Sequence, residues 1–262
     1  MITRFAPSPT GPLHLGHAYS AMLAHDMAQA AGGTFLLRIE DIDQSRARPV
    51  WEAQIYDDLA WLGLNWPTPV MRQSERMAAY DAALDHLWDK GLLYPCTCSR
   101  RDIEAAANAP QEGAPMGPDG MIYPGTCRGK ARTGARPQAM PLRLDTQAAD
   151  PTAHEFAVHI GDVVLSRRDM GTSYHLSVVV DDAAQGVTDV VRGADLEEAT
   201  PIHLLLQKLL NLPTPRYHHH KLVRDAAGKR LAKRDDARAI SKYRAEGASP
   251  NDIRRLVGLP QV

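Results

Sequence analysis

Two histidines three positions apart, His14 and His17, flank Gly16 in the run Phe5-Ala6-Pro7-Ser8-Pro9-Thr10-Gly11-Pro12-Leu13-His14-Leu15-Gly16-His17. Imidazoles at this spacing share one side of a helical turn, where both can donate to phosphate oxygens. Gly16 brings no side chain, so a flat ring can lie against the backbone. At a helix entrance, unpaired N–H groups and the positive end of the dipole would add to the attraction for an anion. A structural or solvated pair is the plainer reading of an isolated His-x-Gly-His. A second group is made of thiols. Cys96, Cys98 and Cys127 are the only cysteines, and they fall within a short stretch. Three thiolates suit zinc, which needs a fourth ligand for a closed tetrahedron. Cys-x-Cys is less diagnostic than Cys-x-x-Cys, so spacing alone leaves zinc and buried free thiols equally open.

These groups need elements to hold them. Ile2 to Phe5 is predicted as a strand, and Ala18 to Ala31 as an amphipathic helix entered through His14-Leu15-Gly16-His17. Thr34 to Ile39 alternates and branches like a buried strand. It runs into Glu40, Asp41 and Asp43, and acids at the carboxyl end of such a strand suit a substrate ammonium group. For Asp41 and Asp43, capping or turn roles are the more natural reading. Val50 to Leu62 has helical spacing and stops at Gly63, its aromatics reading as core. Ser74 can cap a helix carrying Met77, Tyr80, Leu84 and Leu87 on one face, ending near Lys90-Gly91. Strand, helix, strand, helix opens a doubly wound parallel α/β sheet. Ala105 to Gly120 is rich in Gly, Pro and Ala and reads as a mobile loop. Pro141–Leu144, Val158–Leu165, Ser173–Asp182 and Val187–Gly193 read as further strands, and Thr200–Leu210 as a helix capped by Thr200 ahead of Pro201.

The thirteen-residue opening resembles the first signature of class I aminoacyl-tRNA synthetases, in the form found in the glutamyl group. The resemblance implies that Arg4, Ala6 and Ser8 hold the amino acid, and that His14 and His17, with Gly16, bind ATP and stabilise the adenylation transition state. Glu40 matches the glutamate of the R-I-E-D-T-D motif, with Ile42 in place of the usual threonine. Tyr174 and Arg192 match residues that read the substrate side chain. A guanidinium pairs bidentately with a carboxylate, so Arg192 would select glutamate. A structural ion pair with a nearby acid is its other reading. Cys-Thr-Cys-Ser-Arg followed by Tyr-Pro-Gly-Thr-Cys matches a zinc site of the short glutamyl-synthetase-like enzymes. The ligands this implies are Cys96, Cys98, Tyr123 and Cys127, in a structural role. Gly228-Lys229-Arg230-Leu231-Ala232-Lys233-Arg234 resembles the second class I signature. Arg230 and Ala232 depart from it, and Lys233 is the candidate for the ATP phosphates.

The resemblance therefore implies a Rossmann-type class I synthetase catalytic domain with a zinc-bearing insertion and a short helical C-terminal part. Its segments are a first half of the nucleotide-binding domain over 1–95, the insertion over 96–145, a second half over 146–215, and a basic and helical segment over 216–262. The activity it implies is tRNA-independent activation of L-glutamate by ATP, with Mg2+, and transfer to queuosine in the anticodon of tRNA(Asp). Another class I nucleotidyl transferase, a non-catalytic tRNA-binding paralogue, and a fragment of an ordinary glutamyl-tRNA synthetase are the competing readings. The anticodon-reading helical region of full-length synthetases is not among these 262 residues. Composition adds little: 44% hydrophobic and 23% charged residues describe an ordinary globular chain. A net charge of −1 means that tRNA must meet a local basic face. Arg216 to Arg244 carries ten Lys or Arg against three Asp or Glu, and is the candidate face. No apolar run spans a bilayer, and neither a signal-peptide layout nor a disulfide framework is evident, so a cytoplasmic location without membrane partners is expected.

Overall fold

The computed structural model describes residues 1–107, 115–118, 120–130, 132, 134–150, 158–223 and 238–261. The chain divides into two compact units, neither contiguous in sequence. The first comprises Met1–Glu75, Gln185–Glu197 and Pro215–Val262. The second comprises Arg76–Ala184 and Glu198–Thr214. No described helix is long and apolar enough to cross a membrane.

In the first unit, strands β1 (Ile2–Phe5), β2 (Thr34–Ile39) and β3 (Met71–Arg72) pair in parallel in that order. Strands β9 (Asp189–Gly193) and β10 (Arg216–His220) form a second parallel pair. The Thr188 N–H donates to Ile2 O at 2.9 Å, which ties the start of β9 to β1. Between β1 and β2 runs helix α1 (Leu15–Ala30). Its buried face carries Ala18, Ala21, Ala24 and Ala28, all fully buried. Alanines at that spacing favour the helix and let it approach the strands closely. Helix α2 (Pro49–Trp61) adds Ile55 and Leu59 to the same core. The C-terminal helices α8 (Ile240–Ala245) and α9 (Pro250–Val257) add Ile240, Ile253 and Val257. Ser249 and Asp252 form a capping box at the start of α9, and Gly258 ends it at φ +75°, a left-handed conformation suited to glycine. Arg254 clamps α9 to α1 through both oxygens of Asp26, at 2.7 and 2.8 Å.

In the second unit, β4 (Leu93–Pro95), β7 (Leu142–Leu144) and β8 (Val164–Ser166) make an antiparallel sheet. Helix α3 (Met77–Asp89) packs against α6 (Tyr174–Ala184). Between them Asp181 accepts from Tyr80 Oη at 2.6 Å and from Arg76 Nε at 3.2 Å. Shorter pieces are α4 (Arg100–Ala107), the β5–β6 hairpin (Met116–Gly117 with Gly120–Met121), α5 (Thr146–Ala149) and α7 (Thr200–Leu209).

Several sequence expectations change here. Ser173–Asp182 is not a strand but most of α6. β-Branched residues cost a helix only several tenths of a kcal/mol each, and burial of Leu176, Val178 and Val179 overrides that preference. Ser173 Oγ accepts from Leu176 N–H at 3.4 Å, a helix-starting contact. Of the expected 158–165 strand only Val164 and Leu165 are in one, β8, which runs on to Ser166. Ser74 does not cap α3: its N–H and hydroxyl both bond Asp41, at 2.8 and 2.6 Å. The cap position of α7 is Ala199, so Thr200 opens the helix rather than capping it. Within the expected 105–120 loop, the end of α4 and the β5–β6 hairpin are ordered elements, while 108–114 and 119 lie outside the described residues.

Candidate active site and metal centre

The first turn of α1 is built by its own histidines. His14 is the N-cap, and its Nδ1 accepts from Gly16 N–H at 3.1 Å. His17 Nδ1 accepts from His14 N–H at 3.2 Å, completing a capping box. The two rings lie 3.8 Å apart. A neutral imidazole that accepts at Nδ1 carries its proton on Nε2. Both rings are thereby set as Nε2 donors beside the positive end of a four-turn helix. A Cβ at Gly16 would stand 3.0 Å from His14 Cε1, so any side chain here would press on the capping imidazole.

Main-chain bonds fix what surrounds this turn. Glu40 N–H donates to Pro7 O and Arg48 N–H to Pro9 O, each at 3.0 Å, which pins the loop carrying Ala6 and Ser8. Ala239 forms an antiparallel bridge with His14, and Ile240 N–H reaches Leu13 O at 2.8 Å. His220 lies 2.7 Å from Ser20 Oγ and packs edge-on against Tyr19. The chain is thus tied to α1 both before and after residues 224–237. Lys233, with Arg230 and Ala232, lies outside the described residues.

Arg4 is buried on β1, and Ala6 and Ser8 are half-buried in the loop after it. The Glu40 carboxylate accepts from Arg38 at 3.2 Å, and Arg38 is wholly buried and also donates to Gln185 at 2.9 Å. Asp43 takes the turn role expected of it, accepting from Ser45 at 2.6 Å and from Arg46, while Asp41 caps a distant turn by holding Ser74. Arg192 is buried on β9. Its Nε donates to His219 Nε2 at 3.3 Å, and its guanidinium stands 4.9 Å from the Tyr217 ring centroid. The adjacent acid Asp189 accepts from Arg216 at 2.9 and 3.1 Å and pairs with His218 at 2.8 Å. Burial opposes the Asp189 carboxylate, but these partners and Thr188 hold its pKa down at about 2. Tyr174 belongs to the second unit, where it opens α6 edge-on to His175 and His203. His175 Nδ1 and His203 Nε2 lie 3.0 Å apart in the buried interior. The described cations of the basic run are partly taken up: Arg216 by Asp189, Arg238 by Glu246, and Arg244 by Asp57 at 2.7 Å.

The second unit gathers the thiols. The three Sγ atoms all lie within 4.8 Å of one another, and Cys98 and Cys127 stand 3.5 Å apart. A tetrahedral zinc with Zn–S near 2.3 Å needs sulfurs roughly 3.8 Å apart. Tyr123 Oη is 3.5 Å from Cys96 Sγ and 3.3 Å from Cys98 Sγ, and accepts from Cys127 N–H at 2.9 Å. Cys96, Tyr123 and Cys127 are nearly wholly buried. Burial raises the Cys127 thiol, but hydrogen bonds from Tyr123, the Thr97 backbone, Cys98 and Lys130 outweigh it and hold the pKa at about 6. The cluster can hold a metal ion. Its neighbour Arg143 escaped the sequence reading. Cys96 N–H bonds Pro141 O at 2.9 Å, extending the β4–β7 ladder, so Arg143 Nε reaches Cys96 Sγ at 3.3 Å and the guanidinium sits 3.8 Å from the Tyr123 ring centroid. Tyr217 and His219 were missed too, although alternation along β10 places them on one face.

The sequence matches the family model described as tRNA synthetases class I (E and Q), catalytic domain, over residues 1–260. It is 66% identical to a Rhodobacter capsulatus protein named Glutamyl-Q tRNA(Asp) synthetase, over 99% of this chain and 100% of the relative. A Nocardia farcinica protein of the same name is 44% identical over 98% of this chain and 85% of its own length. A crystal structure of a glutamate tRNA ligase from Elizabethkingia meningosepticum, in complex with its amino acid, matches at 25% identity and a TM-score of 0.69. That match covers 98% of this chain and 60% of the ligase, so the chain spans under two thirds of that solved enzyme. A glutamate-tRNA synthetase from Elizabethkingia anophelis shares the fold, with a TM-score of 0.73 at 24% identity. The chain belongs to the class I tRNA synthetases of the E and Q type, whose catalytic domain it carries over residues 1–260.

Proposed function

We propose that this enzyme activates L-glutamate with ATP, without tRNA, and transfers the glutamyl group to queuosine in the anticodon loop of tRNA(Asp). The observation that carries the reading is the match along the entire length of a relative named Glutamyl-Q tRNA(Asp) synthetase. In the first step the glutamate α-carboxylate attacks the α-phosphorus of ATP in line and pyrophosphate leaves; Mg2+, when bound with ATP, would offset the phosphate charge. In the second, a hydroxyl of the queuosine cyclopentene-diol attacks the carbonyl carbon of glutamyl-adenylate, forming an ester and releasing AMP.

The protein's part is positioning and charge stabilisation. His14 and His17 present Nε2–H donors to the phosphates, alongside the N–H groups of the first turn of α1. Lys233 is assigned to the same phosphates by its motif. Arg192 pairs with the substrate side-chain carboxylate, a preference that glutamine cannot satisfy. Arg4, Ala6, Ser8, Glu40 and Tyr174 complete the amino-acid site, with Glu40 facing the ammonium group. Cys96, Cys98, Cys127 and Tyr123 would hold one zinc ion. When bound, it cross-links a stretch too short to bury its own core. Arg143 then neutralises part of the thiolate charge, through its hydrogen bond to Cys96.

ATP–pyrophosphate exchange tests the activation step. Exchange should depend on glutamate, ignore glutamine, and proceed without tRNA. Exchange that requires tRNA would count against the reading. We place tRNA on the Arg216–Arg244 run, where lost counterions should make binding steeply salt-dependent. Reversing the charges of Arg238, Lys242 and Arg244 should lower transfer while exchange survives. Unchanged transfer would move the tRNA surface elsewhere.

A further inference from the structure

We infer that His219, backed by Tyr217, is a positioning residue that aims Arg192 at the substrate carboxylate and so sets the enzyme's preference for glutamate. The inference rests on the proposed role of Arg192.

The register of the β9–β10 ladder places it there. The pairs run Arg216 with Asp189, Tyr217 with Val190, His218 with Val191 and His219 with Arg192. His219 is therefore directly beside Arg192. Tyr217 lies two residues earlier on the same face of β10, and its ring is stacked parallel to that of His219, 8° apart in plane. Arg192 Nε donates to His219 Nε2 at 3.3 Å, and the guanidinium lies 4.9 Å from the Tyr217 ring. The two contacts act differently. The ring attracts the cation without fixing its rotation. The imidazole takes Nε, the one donor that lies on the side-chain arm. Anchoring that arm sets the rotation of the planar guanidinium, and a planar fork must be correctly rotated to meet a carboxylate bidentately.

The neighbours suit this assignment. His218 points to Asp189, and His220 to Ser20. The three consecutive histidines therefore have three different jobs, and only His219 meets Arg192 among the contacts described. As an acceptor at Nε2, His219 must be neutral. Burial first, then the charge of Arg192, with His218 and His220 adding to it, hold its pKa below the ordinary histidine value; Glu197 pulls the other way. Protonation would replace the lone pair by a second cation facing the guanidinium. Glutamate affinity should then fall as the pH drops below that of a neutral His219.

Glutamate and ATP KM values in pyrophosphate exchange test this, using His219→Leu, His219→Gln and Arg192→Ala in the full chain. Leu removes the acceptor, while the Gln amide oxygen falls near the position of Nε2. His219→Leu should raise the glutamate KM about ten- to hundredfold, the usual cost of losing a hydrogen bond to a charged group. It should leave the ATP KM unchanged and narrow the discrimination against glutamine. His219→Gln should restore most of the loss. Between pH 7.5 and 5.5 the wild-type glutamate KM should climb, and that of His219→Gln should stay flat. The flat profile tests the inference even if the Leu variant does not fold. Equal damage in Leu and Gln, a parallel rise in the ATP KM, or identical pH profiles in wild type and Gln would overturn it. If Arg192→Ala itself binds glutamate normally, the reading of Arg192 fails, and the inference with it. If Arg192→Ala is impaired while His219→Leu is not, only the inference fails.

Discussion

The first turn of α1 and the cysteine–tyrosine cluster are both small polar sites, but they are held by different means. At α1, four consecutive residues make the site. His14 caps the helix, His17 caps back, and a glycine leaves room between them. The geometry follows from helix capping and is locked into the apolar core of the first unit. The cluster draws Cys96 and Cys98 from one segment of chain and Tyr123 and Cys127 from another, about 25 residues later. Tyr94 and Ile103 pack with it, and polar contacts lie around it: Arg143 on Cys96, Lys130 on Thr97, and Arg128 on Asp162 at 2.9 Å. A site made by local backbone survives on its own helix. A site made of two separate segments needs something to bind them together.

Removing the cluster should give the largest effect. Cys96→Ser with Cys127→Ser should take the zinc content of protein purified without added metal from about one per chain to near zero. Folding energy supplied by a structural zinc can reach ~10 kcal/mol in small domains, so unfolding of the second unit should shift to much lower temperature. Fully folded wild-type protein with no metal and three freely titrating thiols would remove the basis of the comparison. Next comes Arg192→Ala, expected to cost about 2–5 kcal/mol, or roughly thirtyfold to several thousandfold in kcat/KM for glutamate. Near-wild-type kcat/KM would mean that another residue selects the substrate.

In the first unit, Asp58 is an acid that its surroundings do not satisfy. Asp58 on α2 is fully buried, and neither carboxylate oxygen has a hydrogen-bond partner among the described residues. Burial first, then the Asp57 charge, raises its pKa from 3.8 to about 6, against the pull of Arg244. The folded state then holds a proton that the unfolded chain releases near pH 4. Stability from this group is present below pH 3.8 and is lost as the pH rises toward 6. Asp58→Asn should therefore raise stability at pH 7 by about 1–2 kcal/mol, less than the full shift because the amide is also desolvated. Denaturant midpoints at pH 4 and 7 check it; a loss at pH 7 would show that the carboxylate is needed there.

Gly16→Ala sharpens the comparison from the other side. Its methyl would stand 3.0 Å from His14 Cε1, so the capping imidazole must shift by a few tenths of an ångström. The ATP KM should rise while zinc content stays at one. A variant with unchanged ATP KM would show that the cap tolerates more than its geometry suggests.

Legibility in the sequence follows the same division. The α1 turn, β1, β2, α2 and the turn role of Asp43 depend on neighbours a few residues away, and local pattern reveals them. The Ser173–Asp182 run misleads because its valines favour a strand locally. Burial around α6 and the Asp181 bonds to Tyr80 and Arg76 decide otherwise. Ser74 looks like a cap until Asp41, 33 positions earlier, takes its hydroxyl. Arg143 and His219 are invisible for the same reason. Each earns its place through a strand register, and register is not written in any local pattern. The cysteines lie between these cases: their clustering was visible, but the choice between metal and free thiol needed the resemblance to a family.

What sets the proposed activity apart is the destination of the glutamate. Purified tRNA(Asp) from cells that make queuosine, and the same tRNA from cells that lack it, should be incubated with this enzyme, ATP and labelled glutamate. Label should enter only the queuosine-containing tRNA, and it should be recovered on the anticodon fragment after nuclease digestion. Label on the 3′ terminal adenosine, or equal labelling of the two tRNAs, would contradict the account.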